Sequence, residues 1–289
     1  MTARVPGRQP LIRNKAMRRF FRNPGTLVGT ILAVSLVLVA ILAPYLAGDP
    51  LAQDLSARLK PPSAQHLLGT DQLGRDVWSR VVFGSRISLR IGLTVVAASL
   101  VIGGLVGLLA GIFGGVVDEV AMRITDIFFA FPALILAMAI AGALGPSLTN
   151  LIIAVAAVSW PYYARLLRAQ VLSLKTLDFV DASRALGAGR WRQALKHVLP
   201  NALTPLLVQA SFDVGGAILT AAGLGFIGFG AQPPTPEWGA VVSETRSFIA
   251  EAPWASSAPA LAILLTVLAF NLLGDGLRDV LDPRGRRRG

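Results

Sequence analysis

The sequence predicts an all-α integral membrane protein with six transmembrane helices, on the evidence of its hydropathy, its long uncharged runs and the distribution of its cations. Hydrophobic residues make up 54% of the 289 residues, charged residues only 15%, and the mean hydropathy is +0.62. A soluble domain carries about a quarter charged residues. Because about 20 apolar residues cross a bilayer core, we place the spans at residues 26–47, 90–113, 127–144, 148–166, 203–226 and 257–275.

Four runs without Asp, Glu, Lys or Arg carry most of these spans, at residues 24–48, 91–117, 127–164 and 252–274. The third run is too long for one helix. Gly145-Pro146-Ser147 supplies a turn within it, since proline lacks a donor N–H. Between Val198 and Pro236 the one charge is Asp213. This segment therefore holds the fifth span.

The cations predict the orientation of the chain. With six crossings both termini share a side, and 20 of the 27 Lys and Arg residues fall on that side. The positive-inside rule then places both termini in the cytoplasm. The predicted organisation is an N-terminal cytoplasmic segment, a first transmembrane helix, an extracytoplasmic loop, a five-helix core with a polar cytoplasmic loop at 173–200, and a basic cytoplasmic tail. The first three of these parts are residues 1–25, 26–47 and 48–86, and the last two are 87–275 and 276–289.

The net charge of +11 concerns the membrane surface. In a soluble chain such a charge would suggest nucleic acid. Here the cations flank apolar spans, so membrane lipids with anionic headgroups are the expected partner, and nucleic acid is not. The long basic N-terminal region and the length of the first span also argue against a cleaved signal peptide.

The sequence lacks the motifs of several enzyme classes. No cysteine is present, and His66 and His197 lie on opposite sides of the predicted membrane, which excludes disulfides and a histidine metal site. No Gly-Lys pair exists, so the chain has no Walker A loop. Gly223-Leu-Gly225-Phe-Ile-Gly228 matches G-x-G-x-x-G, but no strand precedes it, and the end of a membrane helix explains it better. We expect no catalytic residue, metal or cofactor in this chain.

A stripe of glycines runs along the second span. Gly103, Gly107, Gly111 and Gly115 recur every four residues and so fall on one helix face. Small residues at this spacing allow another helix to approach closely. The stripe predicts tight helix packing.

The cytoplasmic loop contains an amphipathic island at residues 178–200. Apolar residues recur at helical spacing on both sides of Gly187-Ala-Gly189, and we expect two short helices with a bend between them, the second closed by Pro200. The apolar positions are Phe179, Ala182 and Leu186, then Trp191, Ala194, Leu195 and Val198. Such helices fit a groove on a soluble partner. They would equally well rest on lipid headgroups.

The same island carries a family resemblance. Asp181-Ala-Ser-x3-Gly187-x9-His197-Val-Leu-Pro200 resembles the EAA loop of ABC importer permeases. The remaining chain resembles the C-type permeases of dipeptide, oligopeptide and nickel importers. Further matching segments are Arg22-Asn-Pro24 and residues 62–76, 111–115, 234–239 and 271–283. The resemblance implies a type I ABC importer permease fold with cytoplasmic coupling helices. It assigns the ATPase-coupling loop to Asp181, Ala182, Ser183, Arg184, Gly187, Arg190, His197 and Pro200.

The resemblance also implies partners and a cargo. The chain would line a translocation path with a homologous second permease, and two ATPase subunits, or one as a homodimer, would bind ATP and Mg. An extracytoplasmic binding protein would deliver cargo to the loops at 48–86 and 229–256. Di- or oligopeptides are the expected cargo, and nickel chelates or glutathione are the alternatives. The location would be a bacterial or archaeal inner membrane.

The sequence departs from the family at several positions. Asp181 replaces the family's Glu, and Ser183 replaces its second Ala, so the charge of the loop is kept. Ala221 and Gly225 stand where relatives often have Glu and Ser. These two differences weaken any inference about cargo from relatives.

Asp213 is the one acid within an apolar span. Intramembrane carboxylates usually face a bundle interior or an aqueous path. We assign Asp213 and Gln209 to a candidate translocation path; a structural hydrogen bond from Asp213 to a neighbouring helix is the alternative. An integral membrane enzyme would need several converging groups, and only Asp213 is available. A membrane scaffold or assembly protein is the remaining alternative.

Overall fold

The structure, a computed structural model, describes residues 23–281. Its helices, in order, are α1 Pro24–Leu46, α2 Val77–Phe113, α3 Gly115–Phe129, α4 Ala133–Leu144, α5 Leu148–Leu174, α6 Asp178–Ala185, α7 Arg190–Gln193, α8 Leu199–Ile227, α9 Trp238–Thr245 and α10 Pro253–Leu281. Two 3-10 turns lie at Leu55–Ala57 and Arg246–Phe248, and a π turn at Ala194–Val198 joins α7 to α8. The Lys and Arg residues of positions 1–22 and beyond 281, which we predict to be cytoplasmic, lie outside the described residues.

The all-α membrane fold is confirmed. Five helical segments between residues 23 and 281 are long and apolar enough to cross a membrane, and α3 with α4 makes a sixth if that bent pair is one span. The five segments are Pro24–Leu46, Val77–Phe113, Leu148–Leu174, Arg190–Ile227 and Pro253–Val280. The part of the chain that the structure describes contains one isolated β-bridge and no strand.

The third span differs from the expectation of one helix at 127–144. α3 already ends at Phe129, α4 begins at Ala133, and the two are bent by 89°. Pro132 precedes α4 and cannot donate the hydrogen bond that a continuous helix would need. The turn at Gly145 is present, with φ at +87°, and Ser147 caps α5 by accepting a hydrogen bond from the Asn150 N–H at 3.0 Å.

α2 begins at Val77, well before the expected residue 90. The carboxylate of Asp76 caps its N-terminus, accepting from the Ser79 N–H at 2.8 Å and the Ser79 hydroxyl at 2.7 Å. The loop predicted at 48–86 therefore includes the first turns of this helix. With 37 residues, α2 is about 55 Å long.

α2 packs closely on α5 through its glycines. A Cβ atom on Gly103 would lie 2.7 Å from Cβ of Tyr163, and one on Gly111 would lie 2.7 Å from Cβ of Val171. A Cβ on Gly107 would collide with the backbone of Ala164. These three positions leave no room for a side chain, so the backbones of α2 and α5 meet directly.

Gly115 does not belong to this stripe. α2 ends at Phe113, and Gly114 and Gly115 form a turn with φ values of +66° and +52°. A Cβ on Gly115 would meet open space. The four-residue spacing continued in the sequence, but the positive φ values that glycine permits end the helix before Gly115.

Candidate functional site

A cavity of about 530 Å³ lies between α2, α4, α5 and α8. Asp213 and Gln209 both line it, and most of the wall is apolar. The other polar lining residues are Ser99, Ser159, Tyr162, Tyr163 and Thr220. The structure thus brings the two candidate path residues to one concave surface.

Asp213 holds two helices together as well as lining the cavity. The Tyr163 hydroxyl on α5 donates to Oδ2 of Asp213 at 2.6 Å, and Gln209 Nε2 donates to Oδ1 at 2.9 Å. Among residues 23–281, no Lys, Arg or His lies within 4.0 Å of this carboxylate. The geometry therefore agrees with both interpretations of Asp213, an interhelical hydrogen bond and a place on a path.

The sequence did not single out Tyr163. It is buried, with 1% exposure, and its apolar spacing is that of an ordinary core residue. Its hydroxyl gave the only sign, because a buried phenol needs a hydrogen-bond partner. That partner lies 50 residues away on another helix.

The first part of the island folds as expected from its glycine. α6 covers Asp178–Ala185, and Gly187 follows with φ at +80°. The N–H of Gly187 bonds the carbonyl of Arg184 at 2.9 Å, and the N–H of Ala188 bonds that of Ser183 at 3.1 Å. This turn satisfies the last carbonyls of the helix, and it needs a residue that accepts positive φ.

The apolar positions noted in the sequence divide between two surfaces. Ala194 and Val198 are buried with Val180 against α2 and α5, at Leu108 and Val171. An outer set of large apolar side chains is exposed instead. Its members are Phe179 at 43%, Leu186 at 89%, Trp191 at 52% and Leu195 at 53%. The buried positions hold the island on the bundle. The outer set stays largely exposed, although the Trp191 ring packs edge-to-face on Phe113 of α2 with the ring centroids 5.5 Å apart.

The polar residues of the predicted coupling loop differ in their exposure. Asp181 and Arg184 form an ion pair at 3.2 Å with both side chains 59% exposed, which contributes little stability. Ser183 is buried and His197 is half-buried. The remaining members are exposed; they are Ala182, Gly187, Arg190 and Pro200.

The second predicted helix does not end at Pro200. Instead, the π turn carries it into α8, so that Arg190–Ile227 is one helical segment of 38 residues. Pro200 has no N–H for the preceding turn, and the ladder adjusts: Leu199 N–H bonds the carbonyl of Ala194, and Asn201 Nδ2 donates to the carbonyl of His197 at 2.6 Å. Of the predicted coupling residues, Arg190, His197 and Pro200 therefore share one helical segment with Asp213, whereas those from Asp181 to Gly187 lie in α6 and the turn after it.

Lys175 ties the start of the loop to the end of α2. Its Nζ donates to the carbonyls of Gly111 at 2.9 Å and Ile112 at 3.1 Å. Burial, followed by the nearby charges of Arg184 and Arg190, lowers the pKa of Lys175. The cation lies at the negative end of α2, where the helix dipole favours it.

A buried ion cluster lies at the other end of α2, which the sequence did not predict. Arg75 bonds Asp71 at 2.6 Å and Glu244 at 2.5 Å. Arg80 bonds Asp71 at 2.7 Å and Glu244 at 3.1 Å. The cluster joins the loop before α2 to α9, and it balances two positive with two negative charges.

Comparison with known proteins places the chain. Residues 103–287 match the family described as binding-protein-dependent transport system inner membrane component. Residues 13–62 match the N-terminal TM domain of oligopeptide transport permease C.

The glycines that resemble a dinucleotide motif lie at the end of a helix. Gly223 and Gly225 belong to the last turns of α8, and Gly228 terminates it with φ at +102°.

Relatives agree along nearly the whole chain. The chain is 50% identical over 263 residues to "Probable D,D-dipeptide transport system permease protein DdpC" of Escherichia coli (strain K12), covering 91% of this chain and 88% of that protein. It is 49% identical to the di/tripeptide transport system permease protein DppC of Pseudomonas aeruginosa (strain UCBPP-PA14), covering 92% and 90%. It is 43% identical to the glutathione transport system permease protein GsiD of Pectobacterium atrosepticum, covering 95% of each.

Solved structures support the fold. The MetNI methionine ABC transporter, in inward facing conformations, contains a chain that matches with a TM-score of 0.54 and 21% identity, covering 71% of this chain and 94% of that one. At this identity the match speaks for the fold alone. The chain therefore belongs to the binding-protein-dependent ABC importer permeases, as a multi-pass inner-membrane subunit of the oligopeptide permease C type.

Proposed function

We propose that this chain forms a peptide translocation path with a homologous second permease, and that two ATPase subunits drive it through the outer surface of residues 178–200. An extracytoplasmic binding protein delivers the cargo. ATP and Mg are bound by the ATPase subunits, and both termini lie in the cytoplasm. Di- and oligopeptides are the proposed cargo, because two relatives named for D,D-dipeptides and for di/tripeptides are 50% and 49% identical to this chain.

The single observation that carries this proposal is the continuous helix Arg190–Ile227. Its first residues present Trp191 and Leu195 on the outer surface, and its middle places Gln209 and Asp213 in the cavity. A partner that binds the outer surface more tightly in one conformation favours that conformation throughout the helix. Docking and cargo access are thereby mechanically linked.

The outer surface suits a protein partner. Leu186 is 89% exposed, and Phe179, which precedes it in the chain, and Trp191, which follows it, are 43% and 52% exposed. Burying a leucine side chain contributes about 1.5–3 kcal/mol. Arg184 and Arg190 are exposed in the same segment and would supply the polar rim typical of a protein interface.

The test is Leu186→Glu in the complex co-expressed with its partner subunits. We expect the ATPase to bind this variant about 10- to 100-fold more weakly, since the leucine is lost and a charge is introduced. ATP-dependent uptake into proteoliposomes should fall with it. Leu55→Glu is the matched control, because Leu55 is 69% exposed in the loop between α1 and α2.

Both outcomes are informative. If the Leu55→Glu variant still binds the ATPase subunit and the Leu186→Glu variant does not, docking at residues 178–200 is supported. If the Leu186→Glu variant binds the ATPase subunit as tightly as the wild type does, the proposal is contradicted and a surface that rests on lipid headgroups is favoured. Cross-linking from Ala182→Cys to the ATPase or to lipid distinguishes the same two cases.

The cargo is tested separately. Purified binding protein that retains a peptide, with ATP-dependent uptake of that peptide, supports the proposed cargo class. Glutathione is the second candidate, because a relative named for glutathione is 43% identical over 285 residues. Because glutathione is itself a γ-linked tripeptide, its retention in place of an α-linked di- or oligopeptide would decide for it.

A further inference from the structure

We infer that the cavity at Asp213 binds the positively charged amino group of the cargo. This inference rests on the proposed function and adds to it a chemical preference within the permease itself. The ligand class is an ammonium group, such as the free N-terminus of a short peptide.

The carboxylate has unused capacity to accept hydrogen bonds. A carboxylate accepts about four, and Asp213 receives one from Tyr163 and one from Gln209. These two bonds fix the side chain between α5 and α8. Since Asp213 also lines the cavity, its remaining acceptor sites are available to a ligand there.

The charge of Asp213 has no counter-ion in the described residues, 23–281. The cavity carries no second ionisable carboxylate and no cation; its other polar groups are hydroxyls and the Gln209 amide. A lone negative charge among apolar walls attracts cations strongly, because the surroundings screen it weakly.

The size of the cavity fits a small cargo. Its volume of about 530 Å³ lies within the range of about 300–1,000 Å³ for small-molecule sites. The apolar wall formed by Val95, Leu134 and Val155 can accept uncharged side chains of many shapes. One fixed charge and an adaptable wall suit cargoes that share an amino group and differ elsewhere.

The chain offers a direct probe of this charge. It contains no cysteine, so a single introduced thiol is unique in it. Gly216 lines the cavity, is exposed, and has no atom within 4 Å of an added Cβ. It lies three residues after Asp213, so the two positions are neighbours on the helix. Gly216→Cys should therefore be accommodated beside the carboxylate.

In the experiment, the complex that carries Gly216→Cys is labelled in the absence of binding protein. One sample receives a cationic methanethiosulfonate with a trimethylammonium group, and the other receives an anionic methanethiosulfonate with a sulfonate group. Rates are compared with those of Ala64→Cys in the exposed loop before α2. We expect the ratio of the cationic to the anionic labelling rate to be at least about tenfold higher at Gly216→Cys than at Ala64→Cys. In the double variant G216C/D213N this preference should disappear, and Ala64→Cys in the D213N background should keep its ratio.

A cargo arm uses dialanine and N-acetyl-dialanine at equal concentration. Dialanine should slow the labelling of Gly216→Cys more than its acetylated form does, and Asp213→Asn should remove the difference. Four results would each overturn the inference. They are equal labelling by both reagents, an unchanged rate ratio in the double variant, no labelling of Gly216→Cys at all, and equal effects of the two peptides. Loss of ATP-dependent peptide uptake in the wild type would instead refute the proposed function.

Discussion

Replacing Glu244 with Gln should destabilise the protein strongly, through the buried ion cluster at the start of α2. Glu244 receives Arg75 at 2.5 Å and Arg80 at 3.1 and 3.2 Å. Arg75 and Arg80 are 1% and 0% exposed. Without the charge of Glu244, two buried guanidinium groups share the single carboxylate of Asp71, and the amide NH₂ that replaces one oxygen faces other donors.

The magnitude follows from this imbalance. Removing one partner of a buried ion pair costs about 3–5 kcal/mol, because the remaining charge stays buried without compensation. At about 2–4 °C per kcal/mol, the midpoint of thermal unfolding should fall by roughly 6–20 °C. The combination with Arg80→Gln restores the charge balance and should cost less than the sum of the two single changes.

Tryptophan fluorescence of the detergent-purified complex provides the assay. Trp254 Nε1 donates to the carbonyl of Thr70 at 3.1 Å, and Trp238 Nε1 donates to that of Val81 at 2.9 Å, so both indoles adjoin the cluster. Glu251→Gln is the control, because Glu251 is exposed and the same chemical change there should cost under about 0.5 kcal/mol. Equal midpoints for the two variants would refute the reasoning.

Two glycine pairs give further predictions. Gly107→Ala should lower the thermal midpoint of the complex by an amount equivalent to about 1–3 kcal/mol, because the added methyl group collides with α5. Gly104→Ala is the control and should change the midpoint little, because a Cβ there meets only Leu167, at 3.9 Å. Equal midpoints for the two variants would contradict direct backbone contact. Gly187→Ala should weaken ATPase binding about 5- to 30-fold, because φ at Gly187 is +80°. Gly189→Ala is the control and should leave binding unchanged, because φ at Gly189 is −67°. Weaker ATPase binding by Gly189→Ala than by Gly187→Ala would exclude a requirement for the turn.

Hydropathy and cation placement predicted the helical membrane fold because both depend on composition over long windows. The break at Gly145 was also readable, since a Gly-Pro pair acts locally. The break before Pro132 was missed because the surrounding segment, 127–144, carries no charge and looked like one apolar span.

Long-range pairs were out of reach of one sequence. Arg75 and Glu244 lie 169 residues apart, and Tyr163 and Asp213 lie 50 apart, so no local pattern joins them. The exposed position of Leu186 was equally hidden, because an apolar helical face indicates burial without saying whether the bundle or a partner provides it.

Under the proposed function, the helical segment Arg190–Ile227 has a consequence for energy use by the transporter. Thirty-eight residues make a rod about 57 Å long, so a tilt of about 10° displaces one end by about 10 Å relative to the other. Substitutions that stiffen or bend this rod near Asp213 should then alter how many ATP molecules are spent per imported molecule, even when nothing at the nucleotide sites has changed.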